Sequence, residues 1–192
     1  VFIGHRGHPE VIGTMGQVPE GTITLVETVE DVAALAFAPD APLAYLTQTT
    51  LSVDDTADVV EALRARYPQV VGPKADDICY ATSNRQQAVK TIAPQCQLVL
   101  VIGAPNSSNS LRLVEVAERC GAEGRLIQRA SEIDPAWLDG VTTLGLTAGA
   151  SAPEALVREV IDRIAEFRTV AEEPVVTAEE KMIFKLPRQL VD

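Results

Sequence analysis

Along this chain one arrangement of apolar and polar positions recurs. A short apolar run is followed by a loop of small hydroxyl or amide residues, and then by a segment with helical apolar spacing. The run Leu43 to Thr50 (LAYLTQTT) leads into LSVDDTADVVEALRARYP, and Gln97 to Gly103 (QLVLVIG) leads through APNSSNS into a second such segment. Val141 to Ser151 (VTTLGLTAGAS) leads into APEALVREVIDRI. A less regular copy opens the chain, with VFIG before HRGHPEVIGTMGQ.

Local signals sharpen these helices. Ser52 is placed to cap the first, with Asp54 and Asp55 in its opening turn, Val60, Leu63 and Tyr67 on one face, and Pro68 near its end. After NSSNS, Leu111, Val114 and Ala117 share a face and Gly121 is the stop. Ser151 and Glu154 stand at capping-box spacing before Leu156, Val157, Val160, Ile161 and Ile164.

Strands alternating with helices predict an α/β fold with parallel sheets and right-handed crossovers. The pattern breaks around YPQVVGPKADDICY, which sets a boundary near Gly72 to Ala75. Two similar small α/β domains follow, residues 1–75 and 76–168, each a parallel sheet flanked by helices, with a tail over 169–192. In that tail KMIFKLP is expected to lie extended on the surface or at an edge.

In open parallel sheets a ligand binds outside the carboxyl ends of the strands, where helix N-termini point. All four polar loops are expected at that end, where they can converge on one anionic ligand. Helix N-termini supply free N–H groups and a positive dipole end, so they bind phosphate without Arg or Lys. This suits a chain whose net charge is −11. That charge also argues against a nucleic-acid surface, which needs a basic face. Hydrophobic residues make up 46% and charged residues 22%, ordinary for a soluble globular protein, while aromatics at 4% leave Val, Ala, Leu and Ile to build buried strands. No stretch reaches the roughly 20 apolar residues of a membrane span, and no signal peptide is visible. A cytoplasmic location with reduced thiols is the expectation.

Cysteines stand at 79, 96 and 120, without C-x-x-C or zinc spacing. Cys96 precedes the strand QLVLVIG, and Cys120 ends the helix that returns antiparallel to it, so both belong at the end away from the loops. Packing is their reading. Cys79 lies in the polar, acid-flanked segment DDICYATSNRQ, where its residue type alone leaves packing and chemistry open. The pair His5 and His8 lacks the further ligands of a metal site. SVDDTADV lacks the glycine and terminal Glu of a calcium loop, so its acids read as a solvated helix start. No G-x-G-x-x-G follows a strand, which argues against a dinucleotide binder. Whether Ser107, Ser108 and Ser151 are only helix caps or bind a ligand stays open on these grounds.

Taken together and in order, GHRGHPEVIGTMGQ, TQTTLSVDDT, GPKADDICYATSNRQ, NSSNS and TAGASAP resemble the hydroxymethylbutenyl diphosphate reductases, the LytB or IspH family. The resemblance runs from Gly4 to about Leu190. It implies reductive dehydroxylation of 4-hydroxy-3-methylbut-2-enyl diphosphate to isopentenyl and dimethylallyl diphosphate, in the non-mevalonate isoprenoid pathway. It also implies a 4Fe-4S cluster held by three cysteines from three α/β units, and ferredoxin or flavodoxin as electron donor. By that resemblance Cys79 is one cluster ligand, His8 contacts the diphosphate, and Glu10 supplies protons. Thr49 lies near the substrate hydroxyl, and Ser107, Ser108, Asn109 and Ser151 cradle the diphosphate.

The other two cluster cysteines of the family lie upstream of its HPE motif, and this chain opens on VFIGHRGHPE without Met. The expectation is therefore two of three units, lacking the N-terminal one, with no cluster bound and no activity alone. An uncovered interface then predicts self-association. The alternative is a cluster-free diphosphate-binding or interaction module.

Overall fold

The computed structural model describes residues 1–180 and 186–187 of the chain. Among the described residues six strands form two three-stranded parallel sheets. In the first, β1 (Phe2–Ile3) lies between β2 (Leu25–Val26) and β3 (Leu46–Thr47). In the second, β4 (Leu98–Ile102) lies between β5 (Glu123–Ile127) and β6 (Leu144–Ala148), with Leu100 opposite both Arg125 and Leu146. The expected α/β architecture of two similar parallel sheets is the one observed. The strands are shorter than the apolar runs that announced them.

The helices are α1 (Pro9–Met15), α2 (Val29–Ala34), α3 (Val53–Arg66), α4 (Tyr80–Ile92), α5 (Ser108–Arg119) and α6 (Glu154–Ala165). Ser52 caps α3 by accepting from the Asp55 N–H, as its sequence position predicts. Gly121, at φ +92°, ends the α5 region in a conformation that only glycine adopts without strain. Two elements lacked a clear sequence signal. One is α2, closed by a capping box between Thr28 and Asp31. The other is α4, whose YATSNRQQ opening is polar.

Why β4 is uniformly apolar is clear from its neighbours. Val99 and Val101 face a core with Val89 of α4 and Leu113, Val116 and Ala117 of α5. Leu98, Leu100 and Ile102 face the opposite core with Val160 and Ile164 of α6. A central parallel strand covered on both faces has no solvent side to keep polar. Each such side chain withdrawn from water contributes about 1.5–3 kcal/mol.

The buried face of α5 keeps Val114 and Ala117 of the expected set but not Leu111. Leu111 is 42% exposed, whereas Ser110, Leu113, Val116 and Ala117 are buried. The apolar stripe of this helix is broad, and its rotation is set by Ser110, which is held at the ends of β4 and β6.

The acids that open α3 are not simply solvated. Asp55 accepts from Arg119 of α5 at 2.6 and 2.9 Å and lies 3.7 Å from Arg112. Asp54 pairs with Lys90 of α4 at 2.7 Å. Beside them, Gln86 of α4 donates to the Leu51 carbonyl at 2.8 Å and accepts from the Val53 N–H at 3.0 Å. These contacts tie the two sheets together across the start of α3. Residues 169–180 carry no regular structure and cross the surface, Glu172 pairing with Arg158 and Glu180 with Arg85. The extended segment expected over KMIFKLP falls outside the described residues, apart from Leu186 and Pro187. Among the described residues no helix is long and apolar enough to cross a membrane.

Candidate active site

In each sheet the chain moves from the central strand first to one neighbour and then to the other. A crevice therefore opens between the carboxyl ends of β1 and β3, and again between those of β4 and β6. Loops from both crevices meet on one cavity of about 330 Å³. His8, Thr49 and Thr50 line it from the first sheet, and Cys79 and Thr82 from the start of α4. Asn106, Ser107, Ser108, Asn109, Ala150 and Ser151 line it from the second. A larger depression of about 510 Å³ lies at the end of α6 against the tail, but it takes no residue from these loops.

The start of α5 reaches the cavity because two glycines make room. A Cβ at Gly103 would lie 2.1 Å from Ser110 Oγ, and one at Gly149 would lie 2.3 Å from it. With hydrogens there instead, Ser110 seats between the ends of β4 and β6 and the first turn of α5 faces the cavity. Ser107 caps that turn, accepting from the Ser110 N–H at 3.3 Å and the Ser110 hydroxyl at 3.0 Å.

Asn109 is the exceptional group. It is 6% exposed, yet neither Oδ1 nor Nδ2 has a hydrogen-bond partner among the described residues. A buried polar group without a partner costs about 1–3 kcal/mol, and native folds keep few of them. In this conformation both amide atoms are closed off from solvent, so a ligand in the adjoining cavity meets them when the side chain turns toward it.

His8 caps α1, its Nδ1 accepting from the Glu10 N–H at 3.2 Å. With Nδ1 an acceptor, the neutral ring carries its proton on Nε2, which donates to Ser108 Oγ at 2.8 Å. Glu10 does not line the cavity. Its Oε1 accepts from the Thr49 N–H at 2.9 Å and its Oε2 from the Thr49 hydroxyl at 3.1 Å. Thr49 thus stands between the carboxylate and the cavity.

Cys79 is the exposed N-cap residue of α4 and its side chain makes no capping bond. It is placed by the first sheet. The Asp77 carboxylate accepts from the Thr47 N–H, and the Cys79 N–H donates to the Thr49 carbonyl, both at 3.0 Å. Residues 77–79 therefore lie along the open edge of β3. Cys96 and Cys120 sit at the opposite, amino end of the second sheet, packed against the core under α5. Burial pushes the Cys96 thiol up from its ordinary value.

A cluster held by three thiolates has to be weighed against this donor set. The cavity receives one thiol, and among the described residues no group of three or more His, Cys, Asp and Glu is placed to hold a metal ion. These residues on their own do not fit such a group.

One expectation needs correction here. Ser151 does not cap α6: Pro153 occupies the N-cap, with no side-chain bond, so the Ser151 hydroxyl is left to the cavity. The reason is Pro153 itself, whose ring fixes φ at the entry to the helix. Asp54 and Asp55 are solvent-accessible at the start of α3, as expected, and also form the ion pairs described above. His5 lies outside the cavity, beside Glu27 at 3.5 Å and accepting from Arg112 at 3.1 Å. Thr50, Thr82 and Asn106 are cavity residues that motif reasoning passed over. Thr50 and Asn106 were within reach as the ends of TQTT and NSSNS, whereas Thr82 required α4.

Comparison with known proteins follows the same lines. The family model described as LytB protein matches residues 1–165. The 4-hydroxy-3-methylbut-2-enyl diphosphate reductase of Roseobacter denitrificans is 59% identical over 191 residues, covering 99% of this chain and 60% of that protein. The enzyme of the same name from Hyphomonas neptunium is 61% identical, with 99% and 61% covered. The structure of the E-1-hydroxy-2-methyl-but-2-enyl-4-diphosphate reductase from Plasmodium falciparum superposes with a TM-score of 0.91 at 34% identity, covering 98% of this chain and 59% of that one. The chain spans about 60% of the length of the curated relatives it matches. On the family match, the sequence identities and the shared fold, this chain belongs to the LytB family.

Proposed function

We propose that this chain forms the diphosphate-binding part of a 4-hydroxy-3-methylbut-2-enyl diphosphate reductase. The observation that carries the reading is Asn109, buried on the cavity wall with both amide atoms unpartnered. A diphosphate with its bridging waters supplies what that amide lacks. Around it stand the hydroxyls of Ser107 and Ser151, the Ser108 hydroxyl left free to donate by the His8 Nε2–H bonded to it, and the N–H groups of the first turn of α5. These are neutral donors, so the site holds an anion without a basic residue on the cavity wall.

The reaction consumes a pair of electrons and a pair of protons and releases the allylic hydroxyl as water. Glu10 and Thr49 supply the proton path. A proton taken up by Glu10 from solvent passes to the Thr49 hydroxyl as that hydroxyl gives its own to the leaving oxygen, because Glu10 reaches the cavity only through Thr49. Cys79 would be one of the three thiolates that hold an iron–sulfur cluster, a group that would supply the electrons. The two remaining thiolates come from outside the described residues, so the chain alone is inactive. The cluster-free binding module is the second reading, favoured by the single cavity thiol.

The test is calorimetric titration of the chain with 4-hydroxy-3-methylbut-2-enyl diphosphate, beside Asn109→Ala. Saturable binding that weakens by roughly tenfold or more in the variant is expected. Absent binding, or binding indifferent to Asn109, rules the reading out.

A further inference from the structure

Gln48 directly follows β3 and is fully buried, at 0% exposure. Its side-chain amide has two partners among the described residues. Oε1 accepts from the His5 N–H at 3.0 Å, and Nε2 donates to Thr50 Oγ1 at 2.9 Å. The His5 N–H fixes which way the amide points, because only the oxygen can receive it. The nitrogen must then face Thr50, and an amide nitrogen does not accept. Thr50 therefore cannot return its proton to Gln48.

Thr50 lines the cavity, and among the described residues its hydroxyl proton has no acceptor. Contrast Thr49, whose hydroxyl donates to Glu10. Of two adjacent threonines, one has its proton committed to a carboxylate and the other has its proton turned outward. An ionised diphosphate presents only acceptor oxygens, so a hydroxyl whose proton cannot turn back to its neighbour is matched to it, whereas one with a competing acceptor must first be reoriented.

We infer that Gln48 is a positioning residue that makes Thr50 a one-way donor to the bound anion. The inference rests on the diphosphate reading above and adds to it the device that orients one wall of the site. Gln48 itself does not touch the ligand.

The experiment uses inorganic pyrophosphate as probe and calorimetry on the 192-residue chain. Gln48→Glu keeps the shape and the acceptor for His5 but puts an acceptor opposite Thr50, which turns the hydroxyl away from the cavity. A loss of roughly tenfold in affinity is expected, with the same loss in Thr50→Val and no further loss when both are combined. Lowering the pH protonates the carboxylate introduced by Gln48→Glu, and its O–H then donates to Thr50 as the amide did. The affinity of Gln48→Glu relative to wild type, each measured at the same pH, accordingly recovers on acidification. That of Thr50→Val does not. A merely structural defect gives no such recovery. Should the buried carboxylate prevent folding, Gln48→Met combined with Thr50→Val reads the same coupling without a charge. Independent, additive losses at the two positions, or wild-type affinity in Gln48→Glu, overturn the inference. If these occur while Asn109→Ala still abolishes binding, the diphosphate reading survives. If wild type binds no pyrophosphate, both fall.

Discussion

His8 Nε2 lies 2.8 Å from Ser108 Oγ, a hydrogen bond that joins the loop after β1 to the first residue of α5. The two sheets thus meet through side chains that both line the cavity. Because His8 is the donor in its neutral form, the Ser108 proton stays available to a ligand. Ser108→Ala is expected to weaken pyrophosphate binding by roughly tenfold while moving unfolding stability by no more than about 1 kcal/mol. Calorimetry and urea denaturation on the same samples separate the two effects.

Asn109 sets stability against binding. Replacing an unpartnered buried amide by an apolar group of similar size removes its desolvation cost. Asn109→Leu should raise the free energy of unfolding by about 1 kcal/mol and remove pyrophosphate binding. A variant that is both less stable and still able to bind would show that the amide is satisfied by something in the fold.

Asp55 gives the join between the sheets a pH dependence. The Arg119 guanidinium hydrogen-bonded to it holds its carboxyl below the usual carboxylate range, and the same contact raises Arg119. A group lowered on folding stabilises the native state above its unfolded value and loses that contribution as the pH falls through the lowered one. Asp55→Asn should therefore be less stable than wild type near pH 7, by about 1 kcal/mol or less since the pair is solvent-accessible. The difference should shrink as the pH falls below the usual carboxylate range and through the lowered value. Urea midpoints of both proteins across that range check the sign.

The rotation of α5 is testable by truncation. Leu113→Ala should destabilise by about 2–5 kcal/mol, as a fully buried Leu does. Leu111→Ala, at an exposed position, should change stability by no more than about 0.5 kcal/mol. Equal effects would return the helix to the face that its spacing alone suggested.

The single cavity thiol predicts the outcome of reconstitution. Incubated anaerobically with iron and sulfide, the chain should retain far less than the roughly four irons of a full cluster. A stoichiometric cluster that disappears in Cys79→Ser would mean that a second copy completes the ligand set.

Much of this protein was legible in its linear pattern. Strands beginning at Leu98 and Leu144 and the helix capped by Ser52 follow from local periodicity and hydroxyl placement, which act over a few residues. Alternating strands and helices force parallel sheets, and parallel sheets force the polar loops to one end. The motif residues His8, Glu10, Thr49, Cys79, Asn109 and Ser151 were named by the resemblance of their motifs to the LytB family. What local pattern does not carry is which of several apolar positions turns inward, or which hydroxyl a helix keeps for its own cap. Ser110 seated against Gly103 and Gly149 rotates α5 and exposes Leu111, and Pro153 takes the cap that Ser151 was expected to form.

Family, alternation of elements and the chemical character of the cavity were all set by the order of residues, because they depend on residue type and short spacing. It took the packed fold to pair Asp55 with Arg119, to shield Glu10 behind Thr49, and to let Gln48 direct Thr50. Those relations join residues from separate loops and helices, and hydrogen bonds need atoms within about 3 Å, a distance set by how whole elements pack.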